Sequence, residues 1–269
     1  MNAKPWPVTN EIYHADSANS VSNGELKTFA ESPAEYFLRH IAKDPSYKVQ
    51  SDAMAFGSRL HEKVFEGRES FAVTETTNRS KEGRSFREVY PDAVTSEEYE
   101  LLMDMHAAIL RDPDAKRLLE AEGITEQPIR WDDDLTAMAC RCKPDKLACG
   151  CIVDLKSTSC KTLKAWAWES ENKWFYHRQA AWYQTGVHEL TGDALRFLFI
   201  VASKVPPHPV WVVELAENAI DLGHLENRFY LSELAKRRDS GFWGRHEPAG
   251  IIKVPYSKWA GVNAEAWRT

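Results

Sequence analysis

No run of apolar residues in this chain approaches the roughly 20 needed to cross a bilayer as a helix, so a helical membrane span is not expected. The segment Met1 to His14 lacks the apolar core of a signal peptide, and the protein is therefore expected to stay in the cytoplasm. Cysteine is scarce, with five among 269 residues. That odd count suits a reducing compartment and offers no disulfide framework. An excess of positive charge is missing too: 34 Lys and Arg against 40 Asp and Glu give a net charge of −6. This argues against a protein that coats nucleic acid non-specifically. It does not exclude an enzyme that meets phosphate through metal ions, because such a site needs clustered carboxylates. Internal repeats, low-complexity tracts and an interdomain linker are all lacking, so residues 1–269 read as one domain. Its expected parts are a helical N-terminal region (1–122), a sheet core (123–215) and a closing helix with a tail (216–269).

What is present is a core-forming share of apolar residues, 43% of the chain, patterned first for helices. Ser22-Asn23-Gly24-Glu25 and Ser32-Pro33-Ala34-Glu35 have the capping-box form, the second with proline at the first helical position. A helix is expected from about Asp52 to Glu66, stopped by Gly67. Residues Phe71 to Pro91 are polar, basic and poorly periodic, and read as a long functional loop or hairpin. Thr95-Ser96-Glu97-Glu98 starts another helix, with Leu102, Met105 and Ile109 on one face. After Gly123 the pattern turns to strands: Ile124–Trp131, Thr136–Asp145 and Cys151–Lys156. A helix over about Trp174–Leu190 follows, then strands over Leu195–Ser203 and Pro209–Leu215, then a helix over Asn218–Arg238. The order predicts an α/β layer plan with a mixed sheet.

Three groups of residues carry chemistry. Asp154 and Lys156 are two apart in a strand and project from one face, and Asp145, after Pro144, ends the preceding strand and can return to the same place. Two carboxylates converging with one ammonium suit metal-assisted phosphodiester hydrolysis: the acids hold a hard cation, while the lysine positions water or offsets charge on phosphorus. The tripeptide alone discriminates little, since acidic-x-Lys recurs at Glu25/Lys27, Asp114/Lys116 and Glu171/Lys173, where a solvated helix face accounts for it. Asp154 differs in sitting among Ile152, Val153 and Leu155, where an unpaired carboxylate is costly. A plain Asp–Lys pair at a strand end is the competing reading. Gly57 and His61 lie one turn apart on a helix face, the glycine permitting close approach and the imidazole able to complete a metal shell; a core histidine reads the same way when alone. Gln179 and Tyr183 share a face of the helix after the strands, as they would in any amphipathic helix.

Taken in order, G-x-x-x-H, PD, D-x-K and Q-x-x-x-Y resemble the RecB-like branch of the PD-(D/E)XK nucleases, and the first and last of these occur once each in the chain. Tyr13-His14, Ser22 to Lys27, Ser32 to Tyr36 and the basic Asn78 to Arg84 are similar to RecE-type exonucleases, exodeoxyribonuclease VIII among them. The resemblance runs from about Tyr13 to Lys204. It implies a PD-(D/E)XK core, a central mixed β-sheet flanked by helices. It also implies Mg²⁺ (with Mn²⁺ as a substitute) held by His61, Asp145, Asp154 and the main-chain carbonyl of Leu155. Lys156 becomes the catalytic lysine, supported by Gln179 and Tyr183. The implied substrate is linear double-stranded DNA, degraded from 5′ ends to leave 3′ overhangs for a single-strand annealing protein, by a ring-shaped homotetramer. An endonuclease, a 3′-directed nuclease and a non-catalytic DNA-binding module are the alternatives. One departure is Lys143 before Pro144, where the family often has arginine; the charge stays but a bidentate phosphate contact is weakened.

The cysteines and the basic segment remain. Cys140-x-Cys142 and Cys149-x-Cys151, with Cys160, lack the C-x-x-C knuckle of zinc sites and crowd around the catalytic strands, so small apolar packing is expected of them. Arg79, Lys81, Arg84 and Arg87 are expected to touch the DNA backbone or its 5′ end, with Lys161 and Lys164 as weaker candidates.

Overall fold

The structure is a computed structural model that describes residues 4–16, 19–47, 52–76 and 80–245. The first half holds β1 (Lys4–Pro5), α1 (Asn10–Ala15), α2 (Asn23–Glu31), α3 (Pro33–Tyr36), α4 (Asp52–His61), β2 (Val73–Thr74), α5 (Lys81–Val89), β3 (Val94–Thr95), α6 (Ser96–Arg111) and α7 (Pro113–Glu120). The second half holds β4 (Gly123–Thr125), β5 (Ile129–Asp132), β6 (Ala139–Cys142), β7 (Lys146–Ala148), β8 (Cys151–Thr158), α8 (Leu163–Glu169), α9 (Tyr176–Thr191), β9 (Arg196–Ser203), β10 (Val210–Glu214) and α10 (Glu217–Ser240). The main sheet has the order β10-β9-β8-β7-β4. Only β8 and β9 run parallel in it, joined by the α8–α9 crossover, so the sheet is mixed as expected. A second sheet, β1-β5-β6, stands beside it, and β2 pairs with β3.

Local sequence explains where the helices start. Ser22 Oγ accepts from the Glu25 amide while Glu25 Oε2 accepts from the Ser22 amide at 2.8 Å, a complete capping box. Thr95 and Glu98 form the same reciprocal pair at the head of α6. At Ser32 only half the box forms: the hydroxyl caps Glu35, whose own carboxylate turns to Arg39 at 3.0 Å. The helix beginning at Asp52 widens into a π-type turn over Glu62–Glu66 and stops at Gly67, which is left-handed at φ 65°.

Strand alternation separates two cores. Cys151, Val153 and Leu155 pack with Leu198 and Ile200 against Phe56, Leu60, Leu102, Met105 and Ile109 of α4 and α6. Ile152 faces the other way, with Phe197, Phe199 and Val201, against Leu26, Phe29, Trp182, Leu231 and Leu234 of α2, α9 and α10. Burying each of these aliphatic side chains contributes roughly 1.5–3 kcal/mol. A slip of one residue would exchange the faces of β8, so its register is fixed and Asp154 must point toward α9. Four of the five cysteines pack as expected, Cys140, Cys142, Cys151 and Cys160 being buried, but Cys149, in the left-handed turn before β8, is exposed; all five are free thiols.

Several expectations are corrected. Ile124–Trp131 is not one strand; it splits into β4 and β5 in different sheets, broken at Glu126, whose backbone is left-handed at φ 53°. Thr136–Asp145 yields only β6, because Asp133 accepts from the Thr136 amide and hydroxyl and holds a turn. Asp145 therefore lies in the link before β7 rather than at the end of a strand. The segment Phe71–Pro91 is not a loop: Ser80 Oγ caps the Gly83 amide at 2.9 Å and α5 follows. The helix placed at Trp174 begins at Tyr176, after the unforeseen α8 and a π-type turn over Ser170–Trp174.

Candidate active site

The site forms where two paired strands part. β8 is eight residues long and its partner β7 only three, with Lys146 opposite Val153 as the last pair on that side. Beyond it the edge of β8 has no ladder partner, so its amides and carbonyls need other groups. The Leu155 amide donates to Asp145 Oδ2 at 2.8 Å, and the Leu155 carbonyl meets His61 Nε2 at 2.8 Å. His61 Nδ1 lies 3.4 Å from the same Asp145 oxygen. One strand residue thus binds the carboxylate from the β6–β7 link and the imidazole at the end of α4.

Asp154, 1% exposed, points from the opposite face of β8. Gln179 Nε2 donates to its Oδ1 at 2.7 Å from α9, and Lys156 Nζ stands 2.5 Å from its Oδ2. Burial alone would lower the Lys156 pKa; the Asp154 carboxylate outweighs it and, with Tyr176 and Asp145, holds the ammonium above the usual lysine range. Asp145 is raised as well, up to about 7, which in an acid favours the neutral form: burial is the main cause, Asp154 and Glu126 add to it, and His61 and Lys156 oppose it. Burial likewise raises the Tyr183 phenol, which stays protonated and lines the cleft.

His61, Asp145, Leu155, Lys156 and Tyr183 line a cleft of about 680 Å³ bounded by α1, α4, the turn after it and the start of α9, while Asp154 and Gln179 lie behind its wall. A larger cavity of about 820 Å³, between α9, α10 and the ends of β9 and β10, is lined mainly by apolar surface and contains none of these groups. The smaller cleft is the candidate site because the titratable groups converge there. It also takes in Asn10, Tyr13, His14, Gly57, Glu126, Lys143 and Tyr176.

Asn10, Glu126 and Tyr176 were not foreseen from the sequence. One ligand atom each from His61, Glu126 and Asp145 lie within 4.8 Å of one another. Glu126 reaches them because its amide donates to the Asp145 carbonyl at 3.0 Å and its backbone turns left-handed there. Tyr176 lies three residues before Gln179 and seven before Tyr183, a helical stripe that was available as a signal; its ring centroid is 5.2 Å from Lys156 Nζ. The donors are carboxylate and carbonyl oxygens with one imidazole, a set that fits a hard divalent cation. Among the described residues no such trio of potential ligands includes a cysteine.

The expected DNA-contacting residues are not gathered here. Lys81 and Arg84 are exposed on α5, and Lys161 and Lys164 are exposed around the start of α8; none lines the cleft. Arg87 is half-buried 3.9 Å from Glu98. Arg79 lies outside the described residues.

Residues 20–247 match the family model described as a PDDEXK-like domain of unknown function (DUF3799). Among solved structures, the chain is similar to a crystal structure described as a "putative exonuclease" from Eubacterium rectale. The two share 19% identity and a TM-score of 0.67 over 94% of this chain and 97% of that one, a likeness of fold. An alkaline exonuclease from Laribacter hongkongensis aligns over 86% of this chain and 99% of its own, at 11% identity and a TM-score of 0.35. No curated protein matches the sequence. In the described residues no helix is long and apolar enough to cross a membrane. The family match covers most of the chain, and the acids and lysine meet on the open edge of a mixed sheet: this protein belongs to the PDDEXK-like family, within the PD-(D/E)XK-like nuclease superfamily.

Proposed function

We propose that this protein is a Mg²⁺-dependent exodeoxyribonuclease of the RecE type. The observation that carries the reading is that Asp145 and His61 bind the Leu155 main chain at the unpaired edge of β8, within electrostatic reach of the Asp154–Lys156 pair on the same strand. His61, Asp145, Asp154 and the Leu155 carbonyl are the residues that would hold the cation, and Mn²⁺ would serve in its place. A divalent cation in such a site supplies Lewis-acid polarisation of the phosphodiester and a more acidic water.

The chain's own residues do the rest. Lys156 stays charged and presents its ammonium to the anionic phosphate oxygens. Gln179 holds one oxygen of Asp154, fixing how the carboxylate presents the other. Tyr183 keeps its proton and lines the cleft as a neutral hydrogen-bonding group. Arg79, Lys81, Arg84 and Lys161 would hold the DNA backbone outside the cleft. The substrate would be linear duplex DNA shortened from its 5′ ends. Products would carry 5′-phosphates and leave 3′ overhangs for a single-strand annealing partner. A ring of four copies, acting with all of residues 1–269 as one nuclease domain, would keep the enzyme on its strand.

Digestion of linear duplexes labelled at the 5′ or the 3′ end tests this, with Mg²⁺, with EDTA, and with the Asp154→Ala and Lys156→Ala proteins. Rapid metal-dependent release of the 5′ label and inactive variants are expected. Cutting of closed circles would instead make it an endonuclease, and early loss of the 3′ label would reverse the polarity. Binding without cleavage, in either Mg²⁺ or Mn²⁺, would leave a DNA-binding module.

A further inference from the structure

We infer that Glu126 is a further ligand of the cation site and that Lys143 acts as a built-in competitor holding it in place until the cation arrives. The inference rests on the cation-dependent reading of the cleft and adds residues to which that reading gives no part in holding the cation.

Glu126 is brought to the cleft by backbone rather than by strand pattern. It follows β4 at a left-handed position, φ 53°, and its amide is tied to the carbonyl of Asp145 at 3.0 Å. Left-handed backbone is unfavourable for a residue with a Cβ, and it persists only where surroundings hold it. Here it sets a carboxylate oxygen within 4.8 Å of ligand atoms on both His61 and Asp145. The donors are an imidazole and two carboxylates from three separate segments, so the convergence is tertiary rather than a surface run of acids.

That carboxylate is already in contact with a cation. Lys143 Nζ contacts Glu126 Oε2 and also donates to Asn10 Oδ1 at 2.7 Å, bridging the link before Pro144 to α1. Both charged side chains are mostly shielded, Lys143 at 16% and Glu126 at 24% exposure. A divalent ion shared by His61, Glu126 and Asp145 would lie close to the Lys143 ammonium. The two positive charges therefore compete for one carboxylate, and Asn10 offers the lysine an alternative anchor. Lysine suits this part better than arginine, since a single point charge can leave one oxygen without breaking a bidentate fork.

Opposite signs follow for the two residues, which a purely structural ion pair would not give. Mn²⁺ is titrated into full-length protein by calorimetry at a fixed pH, comparing wild type, Glu126→Gln, Lys143→Met and Asp145→Asn. Each protein is first checked for an intact thermal transition in EDTA. Glu126→Gln is expected to weaken Mn²⁺ binding by about tenfold or more. Lys143→Met is expected to tighten it by roughly threefold or more, as a nearby like charge is removed. Asp145→Asn should weaken it most. If Glu126→Gln binds as wild type does while Asp145→Asn does not, the inference fails and the cation-dependent reading stands. If wild type takes up no Mn²⁺, or Asp145→Asn takes it up normally, the underlying reading fails as well. If Glu126→Gln does not fold, Lys143→Met decides alone: unchanged or weaker binding overturns the competitor role.

Discussion

The Leu155 amide donates to Asp145 Oδ2 at 2.8 Å, so a main-chain group of β8 is satisfied by a side chain where the strand ladder has run out. The same carboxylate is pushed up to about 7 by burial, with Asp154 and Glu126 contributing and His61 and Lys156 opposing. A folded-state pKa above the unfolded one favours folding fully only below the unfolded pKa, near 4, and that advantage is lost as pH rises through about 7.

The first prediction concerns stability without metal. In EDTA, wild-type protein should lose stability between about pH 4 and pH 7 from this group, by at most a few kcal/mol. Asp145→Asn keeps an oxygen for the Leu155 amide but cannot ionise. Its melting temperature should match wild type near pH 4.5 and exceed it above pH 8. Parallel pH profiles for the two proteins would show that Asp145 is not the titrating group.

Cation uptake should release protons. Below about pH 7 the Asp145 carboxyl is largely protonated and must ionise to act as a ligand. Calorimetry of Mg²⁺ or Mn²⁺ binding in buffers of different ionisation enthalpy should show close to one proton released at pH 6, falling toward zero by pH 8.5. Affinity should fall by about tenfold per pH unit on the acid side. A proton count that does not change with pH would contradict this.

Lys156 and Asp154 form a pair that should be costly to break from one side. Asp154 is 1% exposed, and Lys156→Met leaves its carboxylate with the Gln179 amide but without its ammonium partner. Urea denaturation in EDTA should show a loss of about 3–5 kcal/mol. The double variant Asp154→Asn/Lys156→Met should lose much less, because no buried charge is stranded. Equal losses in both would point to packing instead.

Gly57 is not demanded by the protein's own packing. A Cβ there would meet Ser157 Oγ at 4.0 Å, an ordinary contact, yet the residue lines the cleft. Gly57→Ala should therefore stabilise α4 by about 0.5–1 kcal/mol. If DNA passes close to this face, KM should rise while the melting temperature also rises. An unchanged KM would remove the close-approach role of Gly57.

Features written in local sequence were legible in advance. The boxes at Ser22–Glu25 and Thr95–Glu98 are short-range hydrogen bonds and form as read. Asp154 and Lys156 project together because β8 alternates, and Gln179 and Tyr183 both line or support the cleft because α9 is helical over both. Asp145 was found for its residue type, although it sits in a link rather than a strand. Glu126 was hidden because its role depends on a left-handed residue inside what reads as one continuous strand. Helix α5 is hard to read because only Phe86 and Val89 of its nine residues are apolar and Gly83 is its single buried residue; its Ser80 cap is the available signal. Helix α8 presents Trp166 to the core but leaves Leu163 and Trp168 exposed, which blurs its period in the same way.

Behind the site, Arg141 of β6 is 1% exposed, with Glu25 Oε1 at 2.5 Å and Ser20 Oγ at 3.0 Å. The carboxylate that closes the α2 capping box is thus also the counter-ion of a guanidinium inside the strand layer. Cutting the strands away from residues 20–31 would leave a buried positive charge without its partner, at a cost of about 3–5 kcal/mol. The portable unit of this nuclease fold is therefore larger than its acid-bearing strands. A graft, a fusion or a shuffled descendant that keeps the chemistry of residues 123–215 has to inherit the helix that neutralises Arg141 along with it.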